Sequence, residues 1–259
     1  MSLITLTTDF GLTDWFVGTM KGVILGINPR ATIVDITHDV QPGDIRAASF
    51  ALAVSYRFFP KGTVHVAIVD PGVGSSRKAI AVQTANYFFV GPDNGVLSWA
   101  LRKEKIKAMH SLGNEKYFLS PISHTFHGRD IFAPTAAHLA GGLSIRKLGP
   151  DRKHLVQLPW PELVRRKNRV EGEVIYIDRF GNGITNIPDK LGCNSGLNSC
   201  EIYPKRRWRC PVKDFYEAVP AGMPVMIAGS AGFMEIAVNG GSAEKQLALK
   251  IGTAVVLKT

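Results

Sequence analysis

No apolar run in the 259-residue sequence reaches the ~20 residues that a membrane-spanning helix needs, so nothing in it reads as a bilayer anchor. Residues 1–11 carry neither the basic start nor the apolar length of a secretory signal, and the expected location is the cytoplasm. Cysteine is scarce. Cys193, Cys200 and Cys210 are odd in number, and their spacing matches neither a CxxC zinc site nor a disulfide framework; packed, idle thiols are expected. Internal repeats and low-complexity tracts are missing too, which excludes a solenoid or a disordered chain. Acidic residues are the minority, 21 against 31 Lys and Arg, and the net +10 raises the question of a polyanionic partner. The densest basic stretches, residues 164–170 (VRRKNRV) and 203–209 (YPKRRWR), fall late in the chain, outside the segments that look chemical. A solvated basic surface is therefore expected rather than a nucleic-acid groove.

A hydrophobic content of 45% supplies ample core, and the length suits one large domain or two modest ones. Short β-branched runs at residues 3–8, 31–37, 64–69, 79–84 and 87–90 read as strands. Residues 14–27 and 44–58 have helical spacing, the first with Phe16, Met20, Val23, Ile24 and Ile27 on one face. A third helix is predicted over 130–140, ending at Gly141 and Gly142. This alternation predicts an α/β domain over residues 1–158 with a mainly parallel sheet. After a linker marked by Pro159 and Pro161, hairpins without helices predict a smaller all-β, barrel-like domain over 168–259. Its last strand is expected within 247–257.

Ligands of open α/β sheets bind beyond the carboxyl ends of the strands, and several predicted strands end in an aspartate there. Asp9 follows the first, Asp39 the second, Asp70 the third and Asp93 a later one. Turn chemistry alone also places Asp at such points, and for Asp39 and Asp93 it is the preferred reading. Together the four define a face. Arg77 follows Asp70 after a Gly/Ser-rich turn that can fold it back, and His127 precedes the third helix, with His124 as a competing imidazole.

The blocks ITLTTDFG, VDITHDV, VHVAIVDPGVGSSRK, VGPDNGVLS, TFHGRDIFAPTAAHLA, VIYIDRFGNGITNI and GSAGFMEIAVNGGSA occur in that order. They resemble the S-adenosyl-L-methionine (SAM) hydroxide adenosyltransferases, relatives of the SAM-dependent fluorinases and chlorinases. The resemblance runs from Leu3 to about Leu257 and fades over residues 192–218. It implies hydrolysis of SAM to adenosine and L-methionine, with no cofactor and no metal, in a homotrimer whose sites lie between subunits. The trio that separates hydroxide transferases from halogenases falls on Asp70, Arg77 and His127. Asp9 matches the ribose carboxylate, Asp178 the residue near the methionine amino group, and Phe180 and Asn182 the adenine side. Ser230, Glu235 and the backbone of Val238 complete the implied substrate contacts. Beside Ser230, Ala231 stands where the halogenases carry Arg, so the resemblance assigns no partner to the methionine carboxylate.

These residue types suit that chemistry. A sulfonium leaves as a neutral thioether without acid help, so the difficulty lies in the nucleophile, since water has a pKa of about 15.7. Arg77 is a permanent cation able to stabilise developing hydroxide, while the proton acceptor stays open between His127 and a shared Asp-Arg-His network. Three alternatives carry distinct signatures: a halogenase, a metal-dependent hydrolase built on Asp9, Asp70, Asp93 and His127, and a basic nucleic-acid-binding protein. Retention of the trio favours hydroxide.

Overall fold

The computed structural model describes residues 2–193, 198–203 and 207–258, and the chain divides into two compact units, Met1–Leu158 and Pro159–Thr259. Pro204, Lys205 and Arg206 of the second basic stretch, and the side chain of Cys193, lie outside the described residues. No described helix is long and apolar enough to cross a membrane.

In the first unit β1 (Leu3–Thr8), β2 (Thr32–Thr37), β3 (Val64–Ile68), β4 (Ala79–Thr84), β5 (Phe88–Pro92) and β6 (Ile106–Ser111) form one sheet in the order β2-β1-β3-β5-β4-β6. The first four in that order pair in parallel, while β4 and β6 join antiparallel, so the expected mainly parallel sheet has an antiparallel margin. Both faces are covered, as parallel strands require. Ile4, Leu6, Val64 and Val66 pack with Met20 and Ile24 of α1 (Phe16–Ile27) on one face. Ala67, Val69, Val82 and Phe89 pack with Ala48 and Leu52 of α2 (Ile45–Ser55) and with Leu101 of the short α3 (Ser98–Leu101) on the other. The buried stripe of α1 is Val17, Met20 and Ile24; Ile27, its last residue, is exposed, a correction to the predicted face.

The third predicted helix begins instead as a wide π turn, Gly128–Phe132, before α4 (Ala133–Ala140). Pro134 accounts for it. Proline has no N–H to give the carbonyl of Asp130 four residues back, and that carbonyl is taken by the Leu119 N–H at 2.9 Å. α4 ends as expected at Gly141 and Gly142, the latter with φ +95°.

The second unit holds β7 (Val164–Arg166), β8 (Arg169–Ile177), β9 (Gly183–Pro188), β10 (Ser199–Tyr203), β11 (Trp208–Pro211), β12 (Pro224–Ala228), β13 (Phe233–Val238) and β14 (Ala254–Lys258), with the short α5 (Asp189–Cys193) after β9. The antiparallel order β11-β10-β14-β8-β9-β13-β12, with β7 on β8, curls until Val212 bridges Met226, leaving a nearly closed barrel. Val174, Ile187, Ile202, Met226 and Val255 fill it. The predicted closing strand is shorter than expected because Ser242 caps a helix, α6 (Ala243–Leu247), ended by Ala248 at φ +55°. Cys200 and Cys210 face each other across β10 and β11, both buried as free thiols.

Candidate active site

The turn after β3 is built so that Arg77 returns to Asp70. The Asn94 side chain donates to the Val69 carbonyl at 2.8 Å and fixes the strand end. Backbone bonds from Val73 to Asp70 and from Ser75 to Gly72 then wind the turn. Gly74 adopts φ +76°, and a Cβ there would lie 2.3 Å from the His124 carbonyl oxygen, so only glycine lets this turn touch the segment that carries His127. Arg77 Nε donates to Asp70 Oδ1 at 2.9 Å and Nη2 to Asp70 Oδ2, a bidentate pair. The same Nη2 lies 2.7 Å from His127 Nδ1, and the guanidinium sits over the Phe132 ring at 5.4 Å. His127, rather than His124, is the imidazole brought to Arg77.

Charge fixes the proton positions. A guanidinium only donates, so Nδ1 of His127 is the acceptor and the neutral ring carries its proton on Nε2. Burial, then the Arg77 charge, holds the His127 pKa below its usual 6.5, against the opposing pull of Asp70 and Asp130. Asp130 itself is fully buried, spent on Arg129 at 2.6 Å and on the Ser123 N–H at 2.8 Å.

Asp70 and His127 line a cavity of about 330 Å³ together with Asp9, Phe10, Thr125 and Phe126. Asp9 Oδ2 accepts from the Gly43 N–H at 2.8 Å. Asp93 is bound instead to Arg152 at 2.8 Å and to the Val156 N–H at 2.8 Å, and exposed Asp39 donates its backbone N–H to the Thr37 hydroxyl at 3.1 Å. Neither lines that cavity. Among the described residues no group of three or more His, Cys, Asp or Glu is gathered that could hold a metal ion.

In the second unit Asp178 organises the turn 178–182: Oδ1 accepts from the N–H groups of Phe180 and Asn182, both at 2.9 Å, and Oδ2 from the Asn182 side chain at 3.1 Å. That turn leaves Phe180 76% exposed on a cavity of about 720 Å³, lined also by Asn182 and Val238. Glu235 is buried on β13 and accepts from the Tyr216 hydroxyl at 2.8 Å. Burial, reinforced by the nearby Asp178 charge, raises its pKa despite that bond. Ser230 is exposed in the turn between β12 and β13.

Phe215, Tyr216, Glu217 and Asn239 also line the larger cavity and were not anticipated. The first three lie where the motif blocks fade, and the only local signal was an adjacent aromatic pair outside any apolar period. Phe10, Phe16 and Phe126 line the smaller cavity, and Phe126 meets each of the other two edgewise, Phe16 at 5.1 Å and Phe10 at 5.9 Å. Phe10 and Phe126 sit inside recognised blocks, and Phe16 reads as part of the apolar face of the first helix.

Comparison with known proteins yields a consistent set. The model of the SAM hydroxide adenosyltransferase N-terminal domain matches residues 4–149, and that of the C-terminal domain matches residues 172–256. The (R)-S-adenosyl-L-methionine hydrolase of Salinispora arenicola is 39% identical over 257 residues, covering 96% of this chain and 95% of that protein. The hydrolase of the same name from Thermus thermophilus is 39% identical over 266 residues, covering 99% and 100%. A fluorinase of Nocardia brasiliensis is more distant, 28% identical over 292 residues, covering 99% and 96%. The crystal structure of a conserved protein from Thermotoga maritima superposes with a TM-score of 0.92 at 38% identity, covering 99% of this chain and 100% of that one.

Proposed function

The chain belongs to the SAM hydroxide adenosyltransferase family, matched in both of its domains, and from that premise we propose that it hydrolyses SAM to adenosine and L-methionine at the Asp70–Arg77–His127 cluster. The observation that carries the assignment is Arg77, one guanidinium that clamps Asp70 and His127 together at the wall of a cavity shared with Asp9.

Water in that cavity attacks C5′ of the ribose in line with the departing sulfur. His127 directs it with the Nε2 proton, and Arg77 stabilises hydroxide character on its oxygen. Since Arg77 fills the Nδ1 lone pair, His127 does not take the water proton in this arrangement; Asp70 does. A weak base suffices, because the attacking oxygen becomes strongly acidic as the C–O bond forms and the sulfonium loses its charge. One water and one SAM cation thus give adenosine, neutral methionine thioether and one proton.

Asp9 accepts the vicinal ribose hydroxyls, Phe180 and Asn182 meet the adenine, and Asp178 with Glu235 faces the methionine ammonium. Ser230 and the Val238 backbone contribute the remaining polar contacts. No cofactor or metal takes part. Each unit carries one half of this residue set, which supports a homotrimer whose sites combine chains. Light scattering at working concentration tests it: three subunit masses are expected, and a fully active monomer overturns it. The enzyme acts in the cytoplasm on a small molecule, without membrane or nucleic-acid partner.

Halide in place of water is the second reading, and the retained trio and the hydrolase relatives both speak for water. Incubation with SAM, with and without halide and chelator, decides between them. Equal amounts of adenosine and methionine under every condition are expected; 5′-halo-5′-deoxyadenosine as the product, or activity lost to chelator, overturns the proposal.

A further inference from the structure

The block VDITHDV has no part in the chemistry above, yet it surrounds Asp9. β1 and β2 pair in a constant register from Leu3 opposite Thr32 to Leu6 opposite Asp35; then Ile36 is skipped and Thr7 lies opposite Thr37. Bulges between parallel strands are rare, and bulges in general recur beside active sites, where they re-aim a side chain. Continuing the shifted register sets His38 level with Thr8, the residue before Asp9; an unbroken one would set Thr37 there.

Buried His38 then holds the segment around Asp9 at two points. Its Nδ1 lies 2.7 Å from the Thr8 hydroxyl, and its carbonyl accepts from the Gly11 N–H at 2.8 Å, with Gly11 at φ +65°. The Thr8 hydroxyl in turn accepts from the Phe10 N–H at 3.2 Å. His38 Nε2 lies 3.1 Å from Asp35 Oδ1, and Asp35 is held by Lys21 at 2.5 Å. The chain Lys21–Asp35–His38–Thr8 thus ends on the residues flanking Asp9, whose own Oδ2 is fixed by Gly43.

We propose that His38 is a positioning residue that, through Thr8 and Gly11, holds Asp9 to receive the ribose hydroxyls. The proposal rests on the reading of Asp9 as the ribose anchor.

The test compares kcat and KM for SAM and for its 2′-deoxyadenosyl counterpart in wild type, Asp9→Ala, His38→Ala, His38→Asn and Thr8→Val. Wild type is expected to prefer the intact ribose, and Asp9→Ala to lose the preference. His38→Ala and Thr8→Val are expected to erode it, raising KM for SAM about 10-fold, the equivalent of one net hydrogen bond, with kcat changed less than about threefold. His38→Asn, with a side-chain oxygen where Nδ1 stood, restores most of it. Thr8→Val removes only a hydroxyl and keeps a β-branched strand residue, so the test survives a His38→Ala that fails to fold. A purely structural His38 lowers Tm and leaves the preference between substrates untouched. If Asp9→Ala loses the preference while Thr8→Val and His38→Ala keep it, the positioning role is overturned and the ribose anchor stands. If Asp9→Ala keeps it, the ribose anchor falls and the proposal falls with it.

Discussion

Asp70 in the first unit and Glu201 in the second are both nearly buried carboxylates, 6% and 4% exposed in their side chains, and both are held by arginine. They differ in what remains unspent. Glu201 accepts from Tyr203, Arg207, Arg209 at 3.2 Å and Lys258 at 2.7 Å, which together fill its acceptor sites. The Lys258 bond, then that of Tyr203, pulls its carboxyl down to about 2. Asp70 meets one guanidinium, and that guanidinium is shared with a neutral imidazole at a cavity wall. A carboxylate with every acceptor taken pins β10, β11 and β14 of the barrel together. One balanced by a single, shared cation keeps lone pairs open at the cavity wall. Arginine on a buried acid is therefore no mark of function by itself; what sets Asp70 apart is spare acceptor capacity facing a cavity.

Substitution tests that difference most strongly. Arg77→Ala is expected to lower kcat about 100 to 1,000-fold, the usual cost of removing one preorganised donor to a developing anion, with a smaller change in KM. Arg77→Lys should recover only part, because it returns the charge without the planar fork. Glu201→Gln should leave kcat near wild type and lower Tm. Chromatographic assay of adenosine with a thermal melt of each variant checks the pair, and equal losses of kcat in both units would break the comparison.

Acid separates the units next. Burial holds His65 of β3 near a pKa of about 3 against the usual 6.5, so it stays neutral in the fold while the unfolded chain takes a proton. Stability present above about pH 6.5 is lost as pH falls toward 3, at roughly 1.4 kcal/mol per pH unit for one proton. Glu201, lowered from 4.5 to about 2, contributes above 4.5 and weakens only as pH falls below it. Hydrogen exchange should therefore show the first unit opening before the barrel on acidification. Thr5→Val with His65→Phe, which replaces their 2.8 Å bond by apolar contact, should flatten the early slope. Simultaneous opening in wild type would contradict it.

The smallest effect concerns the barrel wall. Burial raises the Cys200 thiol well above its ordinary value, and Cys210 beside it adds to the shift. Peptide-mapped alkylation of the native protein near neutral pH should leave Cys200 and Cys210 unmodified and label both once the barrel is denatured. Rapid native labelling would mean that β11 opens readily.

Much of this was legible in the residues. β-branched runs gave five of the six strands of the sheet, all but β6, whose IKAMHS holds a single β-branched residue; Gly141 and Gly142 gave the end of α4, and the ordered blocks the family and the trio Asp70, Arg77 and His127. The π turn at Gly128–Phe132 was missed because the helical reading over 130–140 took no account of Pro134, whose missing N–H acts four residues back, at Asp130. Phe215 and Tyr216 were missed because cavity walls have no sequence period.

Local order follows from steric and turn preferences carried by neighbours in the chain, and these the sequence determined: the strand periods, the glycine turn at Gly74, and an aspartate at the end of each of several strands. Partner choice was decided only by the tertiary structure. Arg77 reaches His127 across 50 residues, Arg152 takes Asp93 out of contention across 59, and one skipped residue in β2 hands Thr8 to His38 across 30. The reason is physical: a carboxylate at a strand end can serve equally as a turn cap, an ion-pair partner or a ligand. Which of these it becomes depends on the donor that packing delivers within about 3 Å, and that donor comes from elsewhere in the chain.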